Sequence, residues 1–186
     1  MPALVAPFLP AGSLSARPQP RLSGRGLSLR PWADEDIEGL VTAYTDPDIQ
    51  RWHHCSLDAE EAAELILHWR KAWDTEGGAS WAVVDADDSL LGRVGFCGLR
   101  LSEGVAEISY WVLPDARRRG VATSAVTSLA RWAFDTIGLQ RLEIRHSVAN
   151  VASCAVAVAT GFSEDTREHT GRVVPDGSRD PPPGVR

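Results

Sequence analysis

The 186-residue chain has few of the features that define several broad classes of protein. Three cysteines, Cys55, Cys97 and Cys154, lie far apart with no Cys-x-x-Cys pair and no histidine at zinc-ligand spacing. That pattern excludes a disulfide framework and a structural zinc site, and it fits a reducing cytoplasm without a metal. No apolar run approaches the roughly 18 residues a membrane-spanning helix needs. The apolar start Met1 to Leu9 has no basic flank and is broken by Pro2, Pro7 and Pro10, so it does not read as a secretory signal. An excess of positive charge is missing too. The formal net charge is -6, and the sequence pI is near 5.3. Direct nucleic-acid binding needs a basic face and is not expected; a cationic partner suits the balance better.

The length allows one domain with a sizeable core. Residues 1–25 repeat Pro, Ser, Gly and Arg without periodicity, and residues 177–186 hold Pro181, Pro182 and Pro183. Both stretches read as disordered, a leader and a tail around a single domain at 26–176. There is no internal repeat.

Inside the domain the pattern predicts a strand at Leu27 to Trp32, then a helix on Ile37, Leu40, Val41 and Tyr44 that Asp46-Pro47 ends. A linker with Trp52, His53 and His54 follows. Ser56 is the expected N-cap of a second helix, whose stripe is Ala62, Leu65, Ile66, Trp69 and Trp73, closed by Gly77-Gly78. Strand-like runs at Ser80 to Val84, Leu90 to Leu101 and Val105 to Val112, joined by short turns, predict an antiparallel meander. A helix from Val121 to Ile137, a strand from Arg141 to Val148, a helix from Val151 to Thr160 and a strand from Phe162 complete the order. The mixture implies an α+β (mixed α/β) layer structure around a central sheet.

The segment Arg117-Arg118-Arg119-Gly120-Val121-Ala122-Thr123, between a strand and a helix, carries the chemistry. The first amides of a helix have no internal partner and point along its positive end, so several acting together can hold a phosphate. Gly120 removes a Cβ that would keep a diphosphate at a distance, small Ala122 leaves the first turn accessible, and the arginines add charge. No Lys-Ser/Thr follows the glycine, so a P-loop magnesium site is not indicated.

Arg117, Gly120 and Ala122 match the Gln/Arg-x-x-Gly-x-Gly/Ala loop of the GNAT acetyltransferase superfamily. The flanking Ala106-Glu107-Ile108-Ser109-Tyr110-Trp111-Val112, the later Asn150-Val151-Ala152-Ser153 ending in Gly161-Phe162, and the opening Leu29-Arg30-Pro31-Trp32 all resemble its RimJ/RimL-like branch. The likeness covers about Leu27 to Asp176. It implies a mostly antiparallel sheet with helices on both faces and a strand that splays from its neighbour after Trp111. The backbone of Trp111, Val112 and Leu113 would then be free for the pantetheine of acetyl-CoA, the cosubstrate. By the same likeness Asn150 holds the pantetheine arm and Ser153 sits near the sulfur.

Transfer to nitrogen requires a neutral amine. Deprotonation at pH 7 costs about 4.6 kcal/mol for a lysine-like amine and about 1.4 for an α-amine, so a base matters more for the former. Glu107, which resembles the family's strand glutamate, is the expected base, directly or through water. Many relatives place a thiolate-protonating tyrosine seven residues after the helix asparagine. Ala157 stands there, leaving Ser153 or water to stabilise the thiolate. Tyr110, His146, His53 and His54 read as structural or solvated. Residues Ala155 to Ala159 are apolar all round, which predicts fuller burial, with a second copy of the chain as one cover. Relatives add a strand after the Val173 to Gly177 hairpin, which the triple proline prevents here. The likeness implies a peptide N-terminus or a small-molecule amine as the acceptor. A non-catalytic CoA or acyl-CoA sensor on the same fold is the competing class.

Overall fold

The structure, a computed structural model, describes residues 6–53 and 55–164. A six-stranded sheet runs in chain order, from β1 (Leu22–Gly24) and β2 (Leu27–Pro31) through β3 (Ala79–Val84), β4 (Leu90–Arg100) and β5 (Val105–Val112) to β6 (Arg141–Ile144). The first five strands pair antiparallel, and β6 joins β5 in parallel. A parallel partner needs a long crossover, supplied by α4 (Val121–Trp132) and a π-helical turn over Ala133–Ile137. Three helices, α1 (Ile37–Ala43), α2 (Pro47–His53) and α3 (Ala59–Asp74), separate β2 from β3, and α5 (Val151–Ala159) follows β6.

Both faces of the sheet are covered, which is why β3 is buried along its whole length. On one face α4 presents Val121, Ala125, Val126 and Leu129 to Trp81, Val94, Phe96 and Ile108. On the other, Leu40, Ala43, Ile49, Ala62 and Ile66 of α1 to α3 close over Ala82, Val84 and Trp111. Strand alternation sends Trp81 to the first core and its neighbour Ala82 to the second. Among the described residues no helix is long and apolar enough to cross a membrane.

Several boundaries differ from the sequence reading. Asp46-Pro47 ends α1, but it also starts α2: Asp46 Oδ1 accepts from Ile49 N at 3.0 Å and Pro47 takes the first helical position. The expected linker is therefore helical up to His53; His54 lies outside the described residues. The cap of α3 is Asp58 rather than Ser56, in a reciprocal box with Glu61 (2.9 Å each way). β6 stops at Ile144. Helix α5 has no buried residue; Val151 and Val158 are 74% and 70% exposed, so its apolar sequence does not bury it in this chain. Residues 162–164 are irregular; the remainder of the strand expected there and the 173–177 hairpin lie outside the described residues.

Nor do the described residues 6–25 form a disordered leader. Leu14 is in the core, Trp81 Nε1 donates to Pro20 O (2.8 Å), Trp73 Nε1 donates to Arg17 O (2.9 Å), and β1 extends the sheet. The N–H groups of Gly12, Leu14 and Ser15 converge on the Glu76 carboxylate at 2.7–3.0 Å. Burial pushes that carboxyl up, but the three backbone donors outweigh it and hold it below its ordinary range. Pro- and Ser-rich sequence gives irregular backbone here, and tryptophan and glutamate side chains on the domain fix it.

Candidate active site

Residue pairing between β5 and β6 ends at Ile108 and Ile144. Beyond that rung the strands part, and among the described residues Ser109 to Val112 keep β4 as their partner on one side only. The opening thus begins three residues earlier than Trp111. Leu113 N donates to Leu91 O at 2.9 Å, so the alternation of an antiparallel ladder turns the backbone groups of Trp111 toward β4 as well, and those of Tyr110 and Val112 toward the opening. Of the backbone groups expected to be free, those of Trp111 and the Leu113 N–H are therefore turned to β4, while Tyr110 and Val112 face the opening, with Val112 O already accepting from Arg117 Nε at 3.1 Å.

Where β5 ends, a 3-10 turn at Pro114–Ala116 leads into the arginine loop. Arg118 (φ 59) and Gly120 (φ 74) are both left-handed, a backbone pattern that gathers successive N–H groups into a concavity. Among the described residues no side chain caps α4, and its first internal bond is Ser124 N to Gly120 O at 2.9 Å. The amides of Val121, Ala122 and Thr123 precede that bond and face outward along the helix axis. A Cβ on Gly120 would meet no protein atom within 4 Å. Glycine is needed by the protein itself only for its φ, and the space before the amides is open to an anion. Arg118 and Arg119 are exposed beside it. Arg117 is committed elsewhere. Its guanidinium binds Asp46, Asp48 (2.9 Å) and Val112 O, clamping the loop to the start of α2.

Helix α5 borders the far side of the opening. Asn150 Oδ1 caps it through Ser153 N (3.0 Å), and Tyr110 Oη donates to Ser153 O at 3.3 Å, joining the free stretch of β5 to the first turn of α5. Burial pushes the Tyr110 phenol up, so it stays protonated at neutral pH. Glu107 is on the last-but-one rung, on the face covered by α1 to α3. It is half-buried, and Arg145 Nε stands 3.6 Å from its Oε2. Glu107 and Ser153 therefore approach the opening from opposite faces of the sheet. His146 is exposed, its Nδ1 3.0 Å from Ser147 O, and takes no part. A hollow of about 430 Å³ lies off the opening, between Thr42, Asp46, Leu90 and Arg119; Tyr110 and Ser153 do not line it.

An unpaired strand edge running toward an uncapped helix N-terminus is the arrangement that a long ligand with amides at one end and phosphates at the other requires. The sequence profile of the GNAT acetyltransferase domain matches residues 26–163. The chain belongs to this acetyltransferase family.

This acetyltransferase is 25% identical over 149 residues to YoaA, an uncharacterized N-acetyltransferase of Bacillus subtilis (strain 168), covering 78% of this chain and 84% of that one. It is 30% identical over 110 residues, 59% of this chain and 60% of the other, to YdaF of the same organism, whose name provisionally marks it as a ribosomal N-acetyltransferase. Among solved structures, RimL, the ribosomal L7/L12 alpha-N-protein acetyltransferase in complex with coenzyme A, shares the fold with a TM-score of 0.74 at 18% identity, covering 83% of this chain and 90% of its own. The family match and the N-acetyltransferase relatives agree with the acetyltransferase read from the motifs, and the protein is an acetyl-CoA-dependent N-acetyltransferase. Among the described residues no cluster of His, Cys, Asp and Glu could hold a metal ion. The sequence reading missed the Arg117 clamp, since Asp46 and Asp48 lie about 70 residues away, and it missed Tyr110 as the strap between β5 and α5. It also passed over Arg93.

Proposed function

We propose that this acetyltransferase moves the acetyl group of acetyl-CoA to a primary amine by direct attack within a ternary complex. The observation that carries this reading is the continuity of the free β5 edge at Tyr110 and Val112 with the uncapped amides of Val121, Ala122 and Thr123. Acetyl-CoA bound there has its pantetheine amides on β5 and its diphosphate at the start of α4, with Arg118 and Arg119 supplying charge. Asn150, its Oδ1 spent on the cap, keeps its NH₂ for the pantetheine, and Ser153 and Tyr110 lie at the sulfur end. RimL, solved with coenzyme A, is a precedent on the same fold.

The amine arrives from the α1 to α3 face. Glu107, directly or through a water, takes its proton; the nitrogen bonds to the carbonyl carbon and the C–S bond breaks. The electron pair leaves on sulfur, where the Tyr110 hydroxyl, the Ser153 hydroxyl or a water neutralises the thiolate. Mixing protein, acetyl-CoA and a panel of amines while following free CoA thiol tests the reading. Amine-dependent release is expected. Tight acetyl-CoA binding without release by any amine would make the protein a sensor instead.

A further inference from the structure

The α1 to α3 face of the opening holds a positive charge that no carboxylate among the described residues pairs with. Arg93, in the middle of β4, is 7% exposed. Its Nε donates to Ser80 Oγ at 2.8 Å and one Nη1 hydrogen goes to Ser109 Oγ at 2.7 Å; Trp69 lies over the guanidinium, 4.8 Å from carbon to ring centroid. Both partners are neutral hydroxyls. Among the described residues no carboxylate pairs with Arg93, and the ionisable groups that bear on it are Tyr44 and Cys97. Burial pushes both of those weak acids up, so neither is an anion at neutral pH. Burial also pulls the Arg93 guanidinium down, the mark of a charge held without compensation.

A guanidinium has five donors, and two are used. Across the ladder from Arg93 stands Trp111, 4% exposed, whose buried indole Nε1 lies beside the Tyr44 phenol oxygen without making a full hydrogen bond. Tyr44 packs edge-on against Trp111, with ring centroids 6.0 Å apart. Three Arg93 N–H groups without a hydrogen-bond partner among the described residues and this indole N–H therefore sit on neighbouring strands on the same face of the sheet, next to the Tyr44 phenol. Native proteins leave very few buried donors unpaired; here a cation and its donors outnumber the acceptors, which are the Ser80 and Ser109 hydroxyls and the Tyr44 phenol oxygen, and that excess is matched to an anion.

The anion has no source in acetyl-CoA as placed above, because the phosphates lie at α4 and the thioester is neutral. Ser109, which Arg93 touches, is the first residue past the last β5–β6 rung, beside the expected acetyl position. We propose that the acceptor is a small primary amine that carries its own carboxylate, and that Arg93, Trp111 and Tyr44 receive it, with half-buried Trp69 turning aside to admit it. This assignment rests on the acetyl-transfer reading and narrows it to amino-acid-like acceptors.

Matched pairs of amines decide the matter: α-, β- and γ-amino acids against their carboxamides, and dipeptides with Ala-Asp against Ala-Asn to separate a free amino acid from a peptide N-terminus. An α-carboxamide has the less basic amine, so amine ionisation works against the expected preference. The wild-type chain is expected to favour the carboxylate member of at least one amino-acid pair tenfold or more in kcat/KM. Arg93→Met is expected to bring that ratio within twofold, with Arg93→Lys retaining part of it. Ratios within twofold throughout in the wild type, a preference confined to the dipeptides, or a preference that survives Arg93→Met would overturn the proposal. Should no amine support turnover, calorimetry of the same amino acids against the CoA-loaded protein still reads the site. Saturable heat that Arg93→Met abolishes supports the carboxylate pocket while the transfer reading falls; absence of heat overturns the pocket as well.

Discussion

Replacing Gly120 separates two demands made on one residue. Its φ of 74° lies in the left-handed region, where a Cβ costs on the order of 1–2 kcal/mol. Gly120→Ala should therefore lower stability by about 1 kcal/mol, a fall of about 2–4 °C in Tm for a chain of this size. Since a Cβ there meets no protein atom within 4 Å, no steric term adds to that cost. Asparagine tolerates the left-handed region, so Gly120→Asn should melt close to wild type while placing a larger side chain in the space before the Val121 to Thr123 amides. If a diphosphate occupies that space, both variants lose CoA affinity, by about tenfold for each 1.4 kcal/mol of displaced or strained contact. Acetylpantetheine, which lacks the diphosphate, should be indifferent to either change. Calorimetric titration of both ligands into all three proteins supplies the comparison. Variants that melt as expected yet bind CoA within twofold of wild type would refute the assignment of the phosphates to this helix.

Other substitutions probe the surrounding parts. Glu107→Gln should lower kcat by about 10²-fold and flatten the acidic limb of the pH–rate profile while acetyl-CoA affinity holds; unchanged kinetics would remove Glu107 from the mechanism. Arg117→Met severs the clamp to Asp46 and Asp48 and leaves a largely enclosed Asp46 unpaired, so thermal or urea unfolding should show a loss of about 2 kcal/mol, together with weaker CoA binding. Glu76 has a folded pKa below its ordinary value of 4.5. Its stabilising contribution is thus present above that pH and lost as pH falls below it. Glu76→Gln should cost about 1 kcal/mol at pH 7, with the difference from wild type closing on acidification; a gap independent of pH would show that the carboxylate does not anchor the N-terminal segment.

Element types were readable wherever local pattern and tertiary demand coincide. The meander of β3 to β5 and the stripes of α3 and α4 are examples, because one periodicity both forms the element and buries it. The turn at Gly120 and the helix start at Val121 were legible for a related reason, since both are local. What escaped the sequence depends on distant partners. Asp46-Pro47 carries stop and start signals in two residues, and only packing of Ile49 into the second core selects a new helix. The N-terminal stretch has no periodicity of its own; its order comes from Glu76, Trp73 and Trp81. Trp111 was expected to have a free backbone from its motif, whereas register turns that backbone to β4 and packs its indole against Trp32 and Tyr44 on the α1 to α3 face. Helix α5, apolar all round, lies exposed at the border of the sheet within this chain, on the face for which the sequence suggested a second copy as cover.

Amide resonances in a chain of 20.1 kDa are accessible to two-dimensional NMR, and a titration with coenzyme A addresses the binding geometry residue by residue. The largest shifts are expected at Val121, Ala122 and Thr123 and along β5 at Tyr110 and Val112, with Leu113, already bonded to Leu91, responding less. Shifts centred instead on Thr42, Leu90 and Pro114, around the neighbouring hollow, would contradict the placement of the cofactor along β5 and α4.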